Sequence, residues 1–302
     1  MRMQGRARDL LTARDVSCPQ VLAEDCVEIW ASNRREITAI KMDRGNDVAQ
    51  ALVGQRGGGH LRKTIATLFA EELDRGTPLH LLLDDYPGAS LVANWAWSRW
   101  MADSFERRKE KGVIAAGRNG RMEGVCSGFR PGSSALHNDG SVNPHVQSSA
   151  RVPPLPHPDD PDGWHHLPEQ QGVGMRRARR MDIWFDDRLR MDIGFQDSAT
   201  SPDGGRVAVH EYRVLASADP DTLELLSIEA VPHVLPYREC PAAVSNTDRL
   251  IGLPLTRFRA EVAVELVGIL GCTHLNDVLR SMSDVPTLFR RLRDRERPAP
   301  SR

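Results

Sequence analysis

Apolar and polar positions alternate along the second half of the chain. Leu189, Met191, Ile193 and Phe195 are separated by Arg190, Asp192, Gly194 and Gln196, the period-two pattern of a strand with one buried face. Met181, Ile183 and Phe185 make a similar run, and Asp186-Asp187 turns one run back on the other. Pro202-Asp203-Gly204-Gly205 marks a loop. Val207 to Ala218 and Leu223 to Val231 then predict two more strands, joined by Asp219-Pro220-Asp221. After Cys240 the period changes. Phe258, Val262, Leu266 and Ile269 recur at helical spacing and Gly271 ends that helix. Leu275, Val278, Leu279 and Met282 predict a final helix that stops before Pro286. A meander of antiparallel strands followed by helices is an α+β arrangement.

The stretch 137–174 breaks the pattern. Pro144, Pro153, Pro154, Pro156, Pro158, Pro161 and Pro168 exclude a helix or a central strand and favour extended surface backbone. It reads as a linker between an N-terminal half, 1–136, and a C-terminal half, 175–289, with a basic tail at 290–302. The N-terminal half resembles a degenerate copy of its partner. Ile37 to Ile40 precede Leu225 to Ile228 by 188 positions (225 − 37), and Leu81 to Asp85 precede Ile269 to Thr273 by the same offset (269 − 81). Two related halves, each a β-meander followed by helices, are therefore expected. Asp84 would then stand where Cys272 stands, with the chemistry left to the second copy.

Composition narrows the function classes. Forty basic and 41 acidic residues give a net charge of −1, which argues against a nucleic-acid partner. Arg176 to Arg180 and the tail from Arg290 are local exceptions that read as a solvated flank and a frayed terminus. No apolar run is long enough to cross a bilayer, and the amino terminus lacks the apolar stretch of a secretory signal. A cytoplasmic protein with no membrane association is expected. Five dispersed cysteines are no disulfide framework, so thiols stay free to bind metal or react.

The candidate chemistry lies in two segments. Gly271-Cys272-Thr273-His274-Leu275-Asn276-Asp277 sets a thiol, an imidazole and a carboxylate at a helix start, with Thr273 as the N-cap. Pro232 to Pro241 holds His233 and Cys240, the latter placed at an N-cap before Pro241. Sulfurs at helix starts are expected to favour thiolate. His233, Cys240, Cys272 and His274 together make a His₂Cys₂ set suited to zinc or iron, with Asp277 in support of His274. An alternative uses Cys272, His274 and Asp277 as nucleophile, base and orienting group. Residues two apart on one turn diverge, which ranks that triad second. His210 and Glu211 alternate on a strand, so one of them at most faces such a site.

The blocks MRRARRMDIW, VHEYRVLASADPDT, LSIEAVPHVLPYRECPAA and GCTHLNDVLRSMSDVPTL resemble bacterial domain-of-unknown-function family 2889, and TPLHLLLDDYPGASLV and MEGVCSGFRPGSSAL resemble its longer members, so that the resemblance covers most of the chain. The resemblance implies that GCTHLND and the segment around His233 and Cys240 are family features. It implies no activity. A fainter similarity is to iron–sulfur scaffold proteins of the NifU and SufU type, in which an antiparallel sheet leads into a Cys-capped helix. This chain lacks the further Cys expected between the strands, in Ser198 to Arg206. The expected function is a metal-binding protein, an enzyme acting on a small molecule held between the halves. A metal-free thiol hydrolase or transferase, and a non-catalytic scaffold, are the alternatives. A protein partner or homo-oligomer stays open.

Overall fold

The computed structural model describes residues 1–12, 18–101 and 122–296. The chain forms two compact units, Met1–Leu91 with the segment from Ser283 on, and Val92–Met282. This division differs from the expected one at 137–174.

In the first unit β1 (Arg2–Leu11), β2 (Gln20–Ala31) and β3 (Ile37–Met42) form an antiparallel meander in the order β1-β2-β3. Val27, Ile29 and Ala31 alternate inward along β2, as a sheet with one covered face requires. They pack with residues of the helices α1 (Asn46–Ala49), α2 (Gly59–Leu68) and α4 (Pro78–Val92), while α3 (Ala70–Asp74) buries no residue. Leu61, Ile65, Leu79, Leu83 and Tyr86 complete this core. The 188-residue offset sets strand β3 against a strand, but it sets the middle of α4 against a helix start, so Asp84 lies within a helix. Its carboxylate pairs with Arg62 at 2.8 Å.

The second unit starts at the end of α4 and continues through α5 (Trp95–Trp100). Trp95 Nε1 donates to Gln147 Oε1 at 2.7 Å and Trp100 Nε1 to the Thr200 carbonyl at 3.0 Å, while Trp97 is exposed. The stretch expected to be a linker is thus fastened to the unit. It contributes β4 (Ala150–Val152), which pairs with β7. A short edge strand is what so proline-rich a segment can still supply.

The main sheet holds β5 (Met175–Phe185), β6 (Leu189–Thr200), β7 (Arg206–Ala218) and β8 (Leu225–Val234), all antiparallel, in the order β4-β7-β6-β5 with β8 also on β7. Leu189, Met191, Ile193 and Phe195 are buried on the inner face, as their alternation predicts, together with Tyr212, Val214 and Ala216 of β7. Apolar residues of α6 (Phe258–Glu265) and α7 (Thr273–Ser281), among them Phe258, Val262, Leu275, Val278 and Leu279, are buried in the same unit. Mixed α and β architecture with antiparallel sheets is the observed fold class.

Helix boundaries differ from expectation by a few residues. α6 stops at Glu265 and the left-handed Gly268, at φ +57°, turns the chain toward Cys272. Cys272, not Thr273, takes the N-cap position of α7, and Glu239, not Cys240, precedes the 3-10 run Cys240–Leu250. Pro286 does not end the chain's helices. It sits in the first turn of α8 (Val285–Glu296), where its missing N–H costs nothing. Arg291 in that helix pairs with Asp9 of β1 at 2.8 Å. The part of the basic tail from Arg290 to Glu296 is therefore helical, and 297–302 lies outside the described residues. Among the described residues no helix is long and apolar enough to cross a membrane.

Candidate functional site

Three neighbouring strands place Arg177, Asp197 and His210 side by side. Arg177 pairs with Asp197 across β5 and β6, and Asp197 with His210 across β6 and β7. Residues directly opposite on paired strands project from the same face. Above them α7 presents His274, whose ring stacks on His210 with centroids 3.5 Å apart and planes at 17°. His210 Nδ1 lies 3.6 Å and His274 Nε2 3.8 Å from Asp197 Oδ2. Both nitrogens are buried and neither has a hydrogen-bond partner. Among the described residues, Asp197, His210 and His274 form the one group of His, Cys, Asp or Glu whose ligand atoms all lie within 4.8 Å of one another.

A charged lattice holds this trio. Arg177 Nε and Nη2 each donate to one oxygen of Asp197 at 2.9 Å, and its Nη1 donates to Asp277 Oδ2 at 2.6 Å. Arg280 Nη2 donates to the other Asp277 oxygen at 2.7 Å, and Arg179 reaches the Asp277 carbonyl at 3.2 Å. The Arg177 guanidinium also lies 4.9 Å over the Phe195 ring, a favourable cation–π position. Burial alone would push the Asp197 carboxyl up. The paired Arg177 overrides it, helped by His210 and His274, and holds Asp197 well below the usual carboxylate range.

Burial lowers the basicity of His210 against the pull of Asp197, and burial with the adjacent His210 lowers His274 much further. Both rings are therefore neutral at physiological pH, with lone pairs to offer. In the metal-free protein the unfolded imidazoles take up protons below about 6.5 while the folded ones resist. Stability is then complete above that pH and declines as pH falls from it toward the folded values. Calorimetry in chelator between pH 8 and 5 should show a falling Tm, with a shallower fall for His274→Gln. A Tm that rises toward acid would contradict this account.

The cysteines gather beside this group. The Ser127 N–H donates to the Gly271 carbonyl at 2.8 Å, and Asn246 Nδ2 to the Leu270 carbonyl at 2.9 Å, which ties three separate segments together. A Cβ on Gly128 would stand 2.7 Å from Cys240 Sγ and 3.8 Å from Cys126 Sγ. Cys272 Sγ accepts from the Tyr212 hydroxyl at 3.4 Å. Burial, then the nearby Cys272, pushes Cys126 up to about 11 and Cys240 up to about 12. Burial also raises Cys272, against the Tyr212 hydroxyl and the N–H groups of Leu275 and His274. The helix start does favour thiolate, but desolvation wins, and the expected thiolates are thiols. Gly128→Ala forces a methyl into sulfur and should cost about 1–3 kcal/mol, read as a lowered urea midpoint; an unchanged midpoint would mean that this contact gives way freely.

The ligand set expected from the sequence and the group assembled in the structure differ. His274 is common to both. His233 is exposed on β8 and lines a cavity of about 360 Å³ with Glu211, Arg213 and Trp164. Cys240 and Cys272 turn toward Gly128 and Tyr212. Nor does the expected nucleophile triad form, because Cys272 contacts Tyr212, His274 faces Asp197, and Asp277 is held by two arginines. Of the adjacent pair on β7, His210 faces the site and Glu211 accepts instead from Gln196 at 3.1 Å. Sequence reasoning missed Asp197, Arg177, Tyr212 and Cys126. The loop at Pro202 to Gly205 was the available signal for Asp197, since folding β6 on β7 there brings it opposite His210. Arg177 belongs to the run that reads as a solvated flank, yet its side chain is only 5% exposed.

Residues 175–288 match the model of the family described as "Protein of unknown function (DUF2889)", which supports the resemblance over that part of the chain, while the match does not extend to the N-terminal blocks. No curated protein and no solved structure matches the chain, so the NifU and SufU likeness gains no support.

Proposed function

We propose that the second unit binds a zinc or iron(II) ion through Asp197 Oδ2, His210 Nδ1 and His274 Nε2, and uses it to act on a small molecule. The observation that carries this reading is the pair of buried ring nitrogens without hydrogen-bond partners, both converging on one carboxylate oxygen. Buried polar atoms in folded proteins are nearly always satisfied, and a shared cation satisfies all three at once. Ligand atoms around a tetrahedral ion with bonds of about 2.0–2.1 Å stand slightly closer than the 3.6 and 3.8 Å separations seen here, so a small contraction completes the site.

The surroundings suit a ligand shell. Neutral imidazoles need lose no proton to bind. A carboxylate oxygen has two lone-pair directions, and Arg177 takes one from Asp197 Oδ2. Thr273 Oγ lies 3.3 Å from His274 Nδ1 and orients that ring as an outer partner. Two histidines and one carboxylate fit zinc and non-haem iron(II). Three protein ligands leave a coordination position for water or substrate, and that is the basis for reading the centre as catalytic. The thiol-enzyme reading has less support, since Cys240 and Cys272 are buried and among the described residues no imidazole is hydrogen-bonded to either sulfur.

Elemental analysis of the purified full chain tests the proposal. About one zinc or iron per chain is expected, lost in Asp197→Asn, His210→Ala and His274→Ala and kept in Cys240→Ser and His233→Ala. Metal that survives the first three substitutions but disappears from a Cys240→Ser, Cys272→Ser double variant would overturn the assignment.

A further inference from the structure

Arg176 and Arg177 are neighbours on β5, so their side chains leave the sheet on opposite faces. Arg177 enters the buried lattice. Arg176 stands on the other face, where its cross-strand partner is Ser198 of β6. Arg206 of β7 reaches the same residue, donating through Nε to Ser198 Oγ at 3.0 Å and through Nη2 to the Ser198 carbonyl. Two guanidiniums therefore flank one serine. Nε and Nη2 of Arg176 are buried without a hydrogen-bond partner. Burial lowers the basicity of Arg176. Burial and then the charge of Arg176 lower Arg206 to about 10, and among the described residues no carboxylate acts on either.

Two like charges drawn partly out of water and left uncompensated are unfavourable for the fold. Elsewhere on this sheet the pattern is the reverse. Arg177, Arg180 and Arg213 all have aspartate partners. We propose that Arg176 and Arg206 form a binding site for an oxyanion, a phosphate or carboxylate group of a small molecule, on the face of the sheet opposite the histidine group. A planar oxyanion edge matches the fork of Arg176 Nε and Nη2, and it neutralises both charges. As whole residues Arg176 and Arg206 are only partly buried, so a small turn of the Arg176 side chain brings its covered Nε–Nη2 edge to such a group. The inference is independent of the metal proposal.

The test is thermal unfolding and calorimetric titration of the full chain in Hepes–chloride, with inorganic phosphate or acetate added. Saturable binding that raises the Tm is expected, at least tenfold weaker in Arg176→Met and Arg206→Met and unchanged in Arg213→Met. A stronger response to phosphate than to acetate assigns the phosphate source, and the opposite order the carboxylate source. Without oxyanion, Arg176→Met should unfold at a higher temperature than the wild type, since it removes an uncompensated charge. Absence of any response in the wild type overturns the proposal, as does a response that survives both arginine substitutions. So does an Arg176→Met variant less stable than wild type in oxyanion-free buffer.

Discussion

Arg177→Leu should destabilise the folded protein by about 3–5 kcal/mol, the usual cost of removing one partner from a buried ion pair. The guanidinium binds both oxygens of Asp197, which is fully buried, and one oxygen of Asp277, which is 4% exposed. Its loss strands the Asp197 charge in a medium that cannot solvate it, while Arg280 still holds Asp277. Urea unfolding at neutral pH gives the number. Without Arg177 the Asp197 carboxyl moves up, since burial is the opposing influence that Arg177 overcomes. Protonation then relieves the variant, and the gap to wild type should narrow as pH falls. The contrast is Arg75→Ala. Arg75 and Glu71 form a pair 62% and 81% exposed, and its removal should change stability by no more than about 0.5 kcal/mol. Equal effects at the two positions would mean that the lattice does not hold the site.

Metal removal is the second large effect. A ligand that binds only the folded state at a free concentration of a thousand times its Kd stabilises by about 4 kcal/mol. Chelation of the metal-loaded chain should remove that amount, seen as a fall in Tm that added zinc or iron(II) reverses. His210→Ala should already unfold at the lower temperature and ignore the chelator. Cys240→Ser should respond as the wild type does, because its sulfur is turned to Gly128. A metal-loaded wild type whose unfolding is indifferent to chelator would show that the ion sits outside the folded core.

The strands of the second unit were legible because each carries one covered face. Leu189 to Phe195 alternates without a break, and the turns at Asp186-Asp187 and Asp219 to Asp221 are marked by residues that make turns. His274 was legible as well, through its place at a helix start. What was hidden depends on register across strands. Asp197 and His210 are 13 positions apart and become neighbours through a hairpin whose pairing shifts by one residue after Asp197. A slip of one position would send either side chain to the other face. Arg177 was hidden for a different reason. Five residues rich in arginine look solvated, but alternate members of such a run face opposite sides of a sheet, and two of them, Arg177 and Arg179, lie against Phe195. The cysteines misled because position at a helix start was weighed without burial. Desolvation proved the stronger influence on Cys240 and Cys272. The proline-rich stretch misled because prolines exclude a central strand but not a three-residue edge strand with backbone fastened on either side.

X-ray absorption at the metal edge of the loaded full-length protein addresses the central claim most directly, because it reports which elements surround the ion. A shell of nitrogen and oxygen at about 2.0–2.2 Å, with outer scattering from imidazole rings, is expected. A sulfur shell at about 2.3 Å would contradict it and return the ion to Cys240 and Cys272.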